Sequence, residues 1–573
     1  MEHIKTTRFL GSAYAQITPV KDMFFKSMFT VDRSDVRTGT YLDYESRDRY
    51  QSPSTSYISN AKSQSTGINL QNTLNYNTNF GTRLHDAFIL LGQELYQTVI
   101  KSSGISGDAG KEHYYKSGFY DVSKISSPNV TTNYTKTAML SFFGRLNYKF
   151  NEKYLLTASV RADGSSVLAD GHKWGYFPSV ALAWRMNEEK FLQNVSWINN
   201  LKLRASWGLS GNAAVNAYET LASLSPVVKN SSELIPMSMG NEGLTWEKTS
   251  AYNIGLDYGV LNGRISGGID YYWTRTYDLL YYKSAPASSV FTSILSNVGE
   301  TEGKGVEVHM NILPVQTKDI SWNIDMTYSR AEDKLTKLAD NLESNINGTS
   351  ALIVGQPVSI YYDYKSDGNW GIGEWEKYVE EMAAKGITAV KPVSTYGNPG
   401  TTKIVDQNGD GEIKLDDDKI VYNRSPKHIF GMGHTFTYKD LSLSVQMYAR
   451  LGGYINYSMN SMITYDNTNW GDIDYWTPEN PNAKFQTPGT GQITYGSSLL
   501  WEKADYFKIK DITLSYNLPK KVLSKVGIYN ARVYGSLKNY FTFSNIDNYD
   551  PERGGAISFP LQKQVVVGLN LQL

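Results

Sequence analysis

The segment AMLSFFGRLNYKFNEKYLLTASVRAD, residues 138–163, decides how the chain folds. Its even positions read Ala138, Leu140, Phe142, Gly144, Leu146, Tyr148 and Phe150, and between them stand Ser141, Arg145, Asn147 and Lys149. After a turn at Asn151 and Glu152 the same parity resumes. Tyr154, Leu156, Ala158, Val160 and Ala162 fall on one side, and Thr157, Ser159, Arg161 and Asp163 on the other. A strand sends alternate side chains to opposite faces, so the segment reads as a β-hairpin with one apolar and one polar face.

The same texture runs outward to the end of the chain. Tyr176, Pro178, Val180, Leu182, Trp184 and Met186 form one stripe, and Leu201, Leu203, Ala205, Trp207 and Leu209 another. Tyr252, Ile254, Leu256, Tyr258 and Val260 lead through Asn262-Gly263 into Ile265, Gly267, Ile269, Tyr271 and Trp273. Leu441, Leu443, Val445, Met447 and Ala449 alternate with Ser442, Ser444, Gln446, Tyr448 and Arg450, and Val565, Val567, Leu569, Leu571 and Leu573 close the series. Roughly 17 such segments of about ten residues can be counted, the length that crosses a tilted bilayer span. No run of 18 apolar residues occurs, which excludes a membrane-spanning helix. The mean hydropathy of −0.40 suggests a soluble protein, but a transmembrane strand needs only every second side chain in lipid.

A soluble β-sandwich also alternates, and two features argue against it. The opposite faces carry Arg145, Lys149, Arg161, Arg185, Lys202 and Arg204, too much charge for a second buried layer. Connection lengths also alternate. Short links at Asn151-Glu152, Leu261 to Gly263 and Lys439-Asp440 are followed by long ones near 98–134, 210–245, 275–302, 331–427, 451–505 and 542–563. Short turns on one side and long loops on the other are the habit of an outer-membrane barrel, and lipid obliges the spanning sheet to close. The expected fold is therefore all-β: a transmembrane antiparallel β-barrel with long extracellular loops. Trp174, Tyr176, Trp184, Tyr258, Tyr271, Tyr272 and Trp273 gather at strand ends, where interfacial girdles belong.

Composition agrees. The 56 basic residues balance 56 acidic ones, which argues against a nucleic-acid partner. Cysteine is absent, excluding disulfides and thiolate metal sites. The 42 tyrosines and 48 glycines favour strands and turns. The first residues, MEHIKTTRFLGSAYAQI, lack the apolar centre of a signal peptide, so an N-terminally truncated chain is expected.

Several stretches carry a family resemblance. LSFFGRLNYKFNEKYLLTASVRADGSS (140–166) and GYFPSVALAWRMNEEKFL (175–192) resemble the barrel of SusC/RagA-type TonB-linked outer-membrane proteins. LRASWGLSGN (203–212), SNVGETEGKGVEV (296–308), YWTPENPNAKF (475–485), FKIKDITLSYNLP (507–519) and DNYDPE (547–552) follow in the family's order. The resemblance spans about residue 140 to the C-terminus, while the first 130 residues match only in texture. It implies that residues 1–573 are the barrel part of a TonB-dependent receptor, 22-stranded when complete. The signal peptide, TonB box, plug and first strands would lie outside the chain. It also implies a Gram-negative outer-membrane location and active import of oligosaccharides, or of peptides. The implied partners are a SusD-like surface lipoprotein and the TonB–ExbB–ExbD complex, reached through the absent N-terminal part. A passive porin or structural barrel and a siderophore receptor are the alternative readings. Three departures stand out: the chain ends in Leu573 where an aromatic residue is usual, Val167-Leu168 replaces a common Arg-Phe pair, and GNPGTTKIVDQNGDG (397–411) lacks an acidic step.

Chemistry-bearing motifs are few. DQNGDGEIKLDD (406–417), in the long extracellular loop insertion 331–427, has calcium-loop spacing. Asp406, Asn408, Asp410, Glu412 and Asp417 fall at positions 1, 3, 5, 7 and 12, with Gly411 at 6 for the sharp turn. The expectation is a structural Ca2+ that orders the loop, against a plain Asn-Gly/Asp-Gly double turn without an ion. The histidines (3, 85, 113, 172, 309, 428 and 434) show no ligand spacing, and His428 and His434 share the parity of Phe430, Met432 and Phe436. No nucleophile elbow, P-loop or HExxH occurs, so no catalytic residue is assigned and no enzyme is expected. The loop aromatics Trp370, Trp375, Trp470, Trp476, Trp501, Tyr454 and Tyr457 either stack on sugar rings or pack the loops together. No substrate-binding residue is named.

Overall fold

In the computed structural model the described residues are 2–81, 84–111, 122–226, 234–285, 288–289, 291, 293–414, 418–457, 459–460, 473–488, 495–546, 550–555 and 561–572. His113, Asp417, Trp470 and Leu573 lie outside them. The main sheet has 17 strands, the number the alternation implies. No helix is long and apolar enough to cross a membrane among the described residues. Two compact units divide the chain: Met1–Glu188 with Arg204–Tyr252 and Arg275–Gly299, and Glu189–Leu203 with Asn253–Thr274 and Glu300–Leu573.

In the first unit, consecutive strands pair antiparallel: Glu2–Val20, Met23–Leu42, Ser56–Phe80, His85–Ala109, Asn129–Phe150, Tyr154–Ser165 and Trp174–Arg185. The 138–163 hairpin forms as read, with Phe150 opposite Tyr154. Its turn takes one residue more than the sequence implied, because Lys153 N–H closes on Phe150 O at 3.0 Å. Asn151 and Glu152 adopt φ 53° and 56°, the left-handed pair that matches the twist of a tight hairpin. The polar face is laced across strands. Lys149 Nζ meets Asp86 at 2.9 Å, and Arg161 reaches Asp163 at 2.7 Å and Glu94 at 3.1 Å.

Val167 and Leu168, the departure from the family pattern, are buried in a loop core with Phe177, Leu244 and Trp246. Gly211 is needed there. A Cβ on it would stand 2.1 Å from the Phe177 ring, so only glycine lets the strand pass.

In the second unit the ladder runs Glu300–Gln316, Ile320–Lys337, His428–Tyr438, Leu441–Leu451, Tyr506–Asn517, Asn530–Ser544 and Gln564–Gln572, each antiparallel to the next. One face is apolar and open to the surroundings: Leu443, Leu514 and Val567 are 39%, 50% and 78% exposed. Stripes of exposed leucine and valine on strand after strand far exceed the patches a soluble monomer leaves wet. The histidines on this face hold no metal-like geometry. Tyr328 hydroxyl meets His428 Nδ1 at 2.9 Å, and Trp322 Nε1 donates to His434 Nδ1 at 3.3 Å.

Two expectations need correction. Strands in the N-terminal region far exceed ten residues: Ser56–Phe80 and His85–Ala109 have 25 each, about 85 Å at the strand rise. The 98–134 connection accordingly shrinks, since Ser106 still pairs with Asn129. Their outer halves set Lys62 and Ser63 opposite Ser103 and Ser102, polar on both faces, so alternation fades beyond the lipid.

Candidate functional site

The 331–427 insertion is a small folded body. Ser344–Asn347, Ser350–Ile353, Ile360–Tyr364 and Lys419–Asn423 form a four-stranded sheet, and Ser366–Asn369 pairs with Thr402–Ile404. Beside them lies helix α1, Glu374–Ala384. Trp375 and Met382, seven residues apart, share its buried face, and Gly386 at φ 77° follows its end.

Within this body the aromatics pack on one another. Trp370 meets Trp375 edge-on at 5.3 Å and Tyr396 at 5.5 Å, and it is 2% exposed. Trp501 stacks on Tyr361 at 4.2 Å and donates to Asp363 Oδ2 at 2.9 Å. Trp476 and Tyr457 are buried too, leaving Tyr454 half-buried. The described loop aromatics, Tyr454 apart, are therefore packing residues, because a ring enclosed by other rings has no face left for a sugar.

The Asp-rich turn closes through its own backbone. Asp406 accepts N–H bonds from Gly409 at 2.7 Å and Gly411 at 2.8 Å, and Tyr378 hydroxyl donates to it at 3.0 Å. Burial raises the Tyr378 pKa, and the Asp406 carboxylate adds to the effect. Asn408 accepts from Asp410 N–H, and Asp410 from Glu412 N–H. Lys414 Nζ pairs with Asp410 at 3.0 Å and Glu412 at 2.9 Å. The bond from Glu412 N–H and then that from Lys414 hold the Asp410 carboxyl below its ordinary value. Among the described residues no three carboxylates or histidines converge as a metal set.

One residue escaped the sequence reading. Asp418 is fully buried and accepts from Gln407 N–H at 2.9 Å and Lys414 N–H at 2.6 Å, tying the two ends of the turn together. It adjoins Asp417, the position that the spacing assigns, which lies outside the described residues.

Besides a space lined by Trp375, Tyr378 and Asp406 inside the insertion, two cavities open among these loops. One, of about 470 Å³, is walled by Trp273, Gln356 and Asn423 and by charges that largely cancel: Lys334 pairs with Glu302 at 3.2 Å and Lys304 with Glu332 at 3.8 Å. The other, of about 300 Å³, lies between Tyr361, Arg424, Arg450, Tyr454, Tyr506 and Glu552. Both sizes suit part of a small ligand. Below the second cavity, Lys508 is 1% exposed at its side chain and holds Asp550 at 2.6 Å and Glu552 at 2.8 Å. Lys510 reaches Glu552 at 2.6 Å. Burial acts to raise the Glu552 pKa, but hydrogen bonds from the two lysines outweigh it and hold that carboxyl below its ordinary value.

Comparison with known proteins now places this geometry. The family described as "TonB dependent receptor-like, beta-barrel" matches residues 25–540. TonB-dependent receptor P26 of Formosa agariphila is 32% identical over 98% of this chain and 59% of its own length. TonB-dependent receptor SusC of Bacteroides thetaiotaomicron is 30% identical over 84% of this chain and 50% of its own. The chain thus spans half to three fifths of the length of these relatives. Among solved structures, the RagAB peptide transporter superposes with a TM-score of 0.82 over all of this chain and 62% of the other, at 24% identity. The expected SusC/RagA likeness is borne out.

Proposed function

The chain belongs to the TonB-dependent receptor-like β-barrel family, and from that premise we propose that it forms the outer-membrane wall of a nutrient importer. The imported ligand in this reading is an oligosaccharide, with a peptide as the second possibility. TonB, acting on the remainder of the natural protein, supplies the energy, and a SusD-like lipoprotein covers the loop side. The observation that carries the reading is that each unit's ladder has an apolar exposed face and an ion-paired polar one: Phe142 and Val160 against Lys149 and Arg161 in the first, Leu443, Leu514 and Val567 against Lys538 and Asp511 in the second. Such a wall keeps its backbone bonds internal while presenting lipid with hydrocarbon and the lumen with charge.

The experiment is uptake of labelled oligosaccharides, neutral and acidic, by cells making the natural protein, with and without TonB. Energised import predicts loss of uptake when TonB is removed. A passive porin predicts no change, and that result overturns the proposal.

A structural Ca2+ in the 406–417 turn is part of the same proposal, supported by the ligand spacing and by the way Asp406 gathers Gly409 and Gly411 N–H. Asp406, Asn408, Asp410, Glu412 and Asp417 would hold it, and Asp410 and Glu412 would have to leave Lys414. With a Kd of about 0.5 mM, ~10 mM Ca2+ is expected to slow trypsin cleavage after Lys414 by about an order of magnitude. An unchanged rate overturns the ion.

A further inference from the structure

The smaller of the two loop cavities differs from the larger in its charge. In the larger one, cations and carboxylates are matched in pairs. In the smaller one, the guanidinium groups of Arg424 and Arg450 have no carboxylate partner among the described residues, and Glu552 is already held by Lys508 and Lys510. Arg424 lies over the Tyr361 ring at 4.6 Å, which fixes its plane and leaves its donor edge free. Tyr506 is 3% exposed, and its hydroxyl makes no well-formed hydrogen bond among the described residues, its near neighbour being the Arg450 guanidinium. A buried polar group without a partner is costly, and a ligand oxygen relieves it.

Local structure builds this arrangement firmly. Arg450 ends the Leu441–Leu451 strand on its polar face, and Tyr506 opens the neighbouring strand directly opposite. Arg424 follows the Lys419–Asn423 strand, its N–H bonded to Ser359 O at 3.1 Å. The 550–555 turn is pinned from below by Lys508. At Gly555 a Cβ would meet Asn456 O at 2.2 Å, so the turn lies tight against the Tyr454 strand. Tyr361 is held between Trp501 and Arg424, so Tyr454 alone adds half-buried ring surface to the same walls.

We infer that this cavity is a subsite for an acidic sugar, its carboxylate received by Arg424, Arg450 and the Tyr506 hydroxyl and its ring resting against Tyr454. Two guanidiniums offer the planar forks that suit a carboxylate, while the Tyr454 face suits the C–H surface of a pyranose. The assignment rests on the proposed import of oligosaccharides and narrows it to uronate-bearing ones.

The test is calorimetry on the natural protein in detergent with three probes: digalacturonate, its neutral counterpart galactobiose, and a glutamyl-glutamate dipeptide. Digalacturonate is expected to bind at least about tenfold more tightly than galactobiose. Arg424→Gln and Arg450→Gln are each expected to weaken it by about ten- to a hundredfold, the value of a charge-assisted bond. Arg450→Lys should restore part of the loss, and added salt should weaken the acidic probe alone. Heat-modifiable gel mobility confirms that each variant is folded. Equal binding of the acidic and neutral sugars, no binding of digalacturonate, or binding unchanged in both glutamine variants overturns the subsite. Tighter binding of the dipeptide with the same arginine dependence overturns its assignment to a sugar. These readings need no transport, so a failed subsite with TonB-dependent uptake intact leaves the importer standing, and the converse holds as well.

Discussion

At the scale of single residues, Lys508 is the most consequential side chain of the loop region. It is fully enclosed and is the common partner of Asp550 and Glu552, so removing it strips Asp550 of its cation and leaves Glu552 with Lys510 alone. Breaking a buried pair in this way costs about 3–5 kcal/mol, here spent locally on the 550–555 turn. Lys508→Met is therefore expected to speed trypsin cleavage after Arg553 at neutral pH by at least about tenfold, while the barrel stays heat-modifiable. An unchanged rate means the turn is held by something else. Acid should act in the same direction. The Glu552 carboxyl is held below its ordinary value, so its contribution is complete at neutral pH, above the unfolded value of about 4.3, and is lost as pH falls through the lower folded value. Hydrogen exchange of the 550–555 amides, followed downward from neutral pH, should show protection holding through pH 5 and failing below about 4. Sequence could not locate this latch, because Lys508 and its partners are separated by 42 and 44 positions. The Asp-rich turn was legible as a turn for the opposite reason. Its bonds are local, and only the buried Asp418, one position beyond the proposed ligand Asp417, escaped the spacing.

At the scale of the element, a strand here is defined by which face meets lipid. Leu443 lies between Phe436 and Leu514 on the exposed face, and its neighbour Ser444 points the other way between Thr435 and Thr513. Leu443→Arg is expected to cost about 2–4 kcal/mol in lipid vesicles, the midplane penalty for a cation, whereas Ser444→Arg should cost less than about 1 kcal/mol. Urea unfolding in vesicles separates the two, and equal costs would contradict a lipid-facing stripe. The turns are tuned in the same local way. Lys439 sits at φ 54°, strained for a residue with a side chain, so Lys439→Gly should stabilise the hairpin by about 1 kcal/mol. Period two and turn residues are short-range signals, which is why strand identity, strand count and hairpin positions could be read from sequence. Strand length could not. Where Lys62 and Ser63 face Ser103 and Ser102, pairing continues by backbone hydrogen bonds alone and leaves no pattern behind.

At the scale of the whole molecule, wall and site draw on different kinds of information. The ladder is built from pairs of successive strands, each register set by its own faces and turns. The Ile320–Lys337 and His428–Tyr438 strands pair in register from Ile320 with Tyr438 to Ser329 with Ile429, although these last two lie 100 positions apart in the chain. Those intervening residues fold on Trp370, Trp375 and Tyr396 as a core of their own. That core was not legible beforehand, since it depends on the contacts of Trp370 with Tyr396 and Lys403, and of Lys403 with Asp367, that no periodicity records. If wall and insertion are separable, replacing residues 340–424 with a short Gly/Ser linker should leave a heat-modifiable, lipid-inserted barrel, because no ladder register depends on the excised body. The same variant should lose digalacturonate binding altogether, because Tyr361 and Arg424 leave with the insertion while Arg450 and Tyr506 stay on the wall. Loss of the barrel itself would show that the insertion is part of what holds the ladder in register. Retained binding would show that the wall alone carries the anion site, and would move the arginine argument onto Arg450.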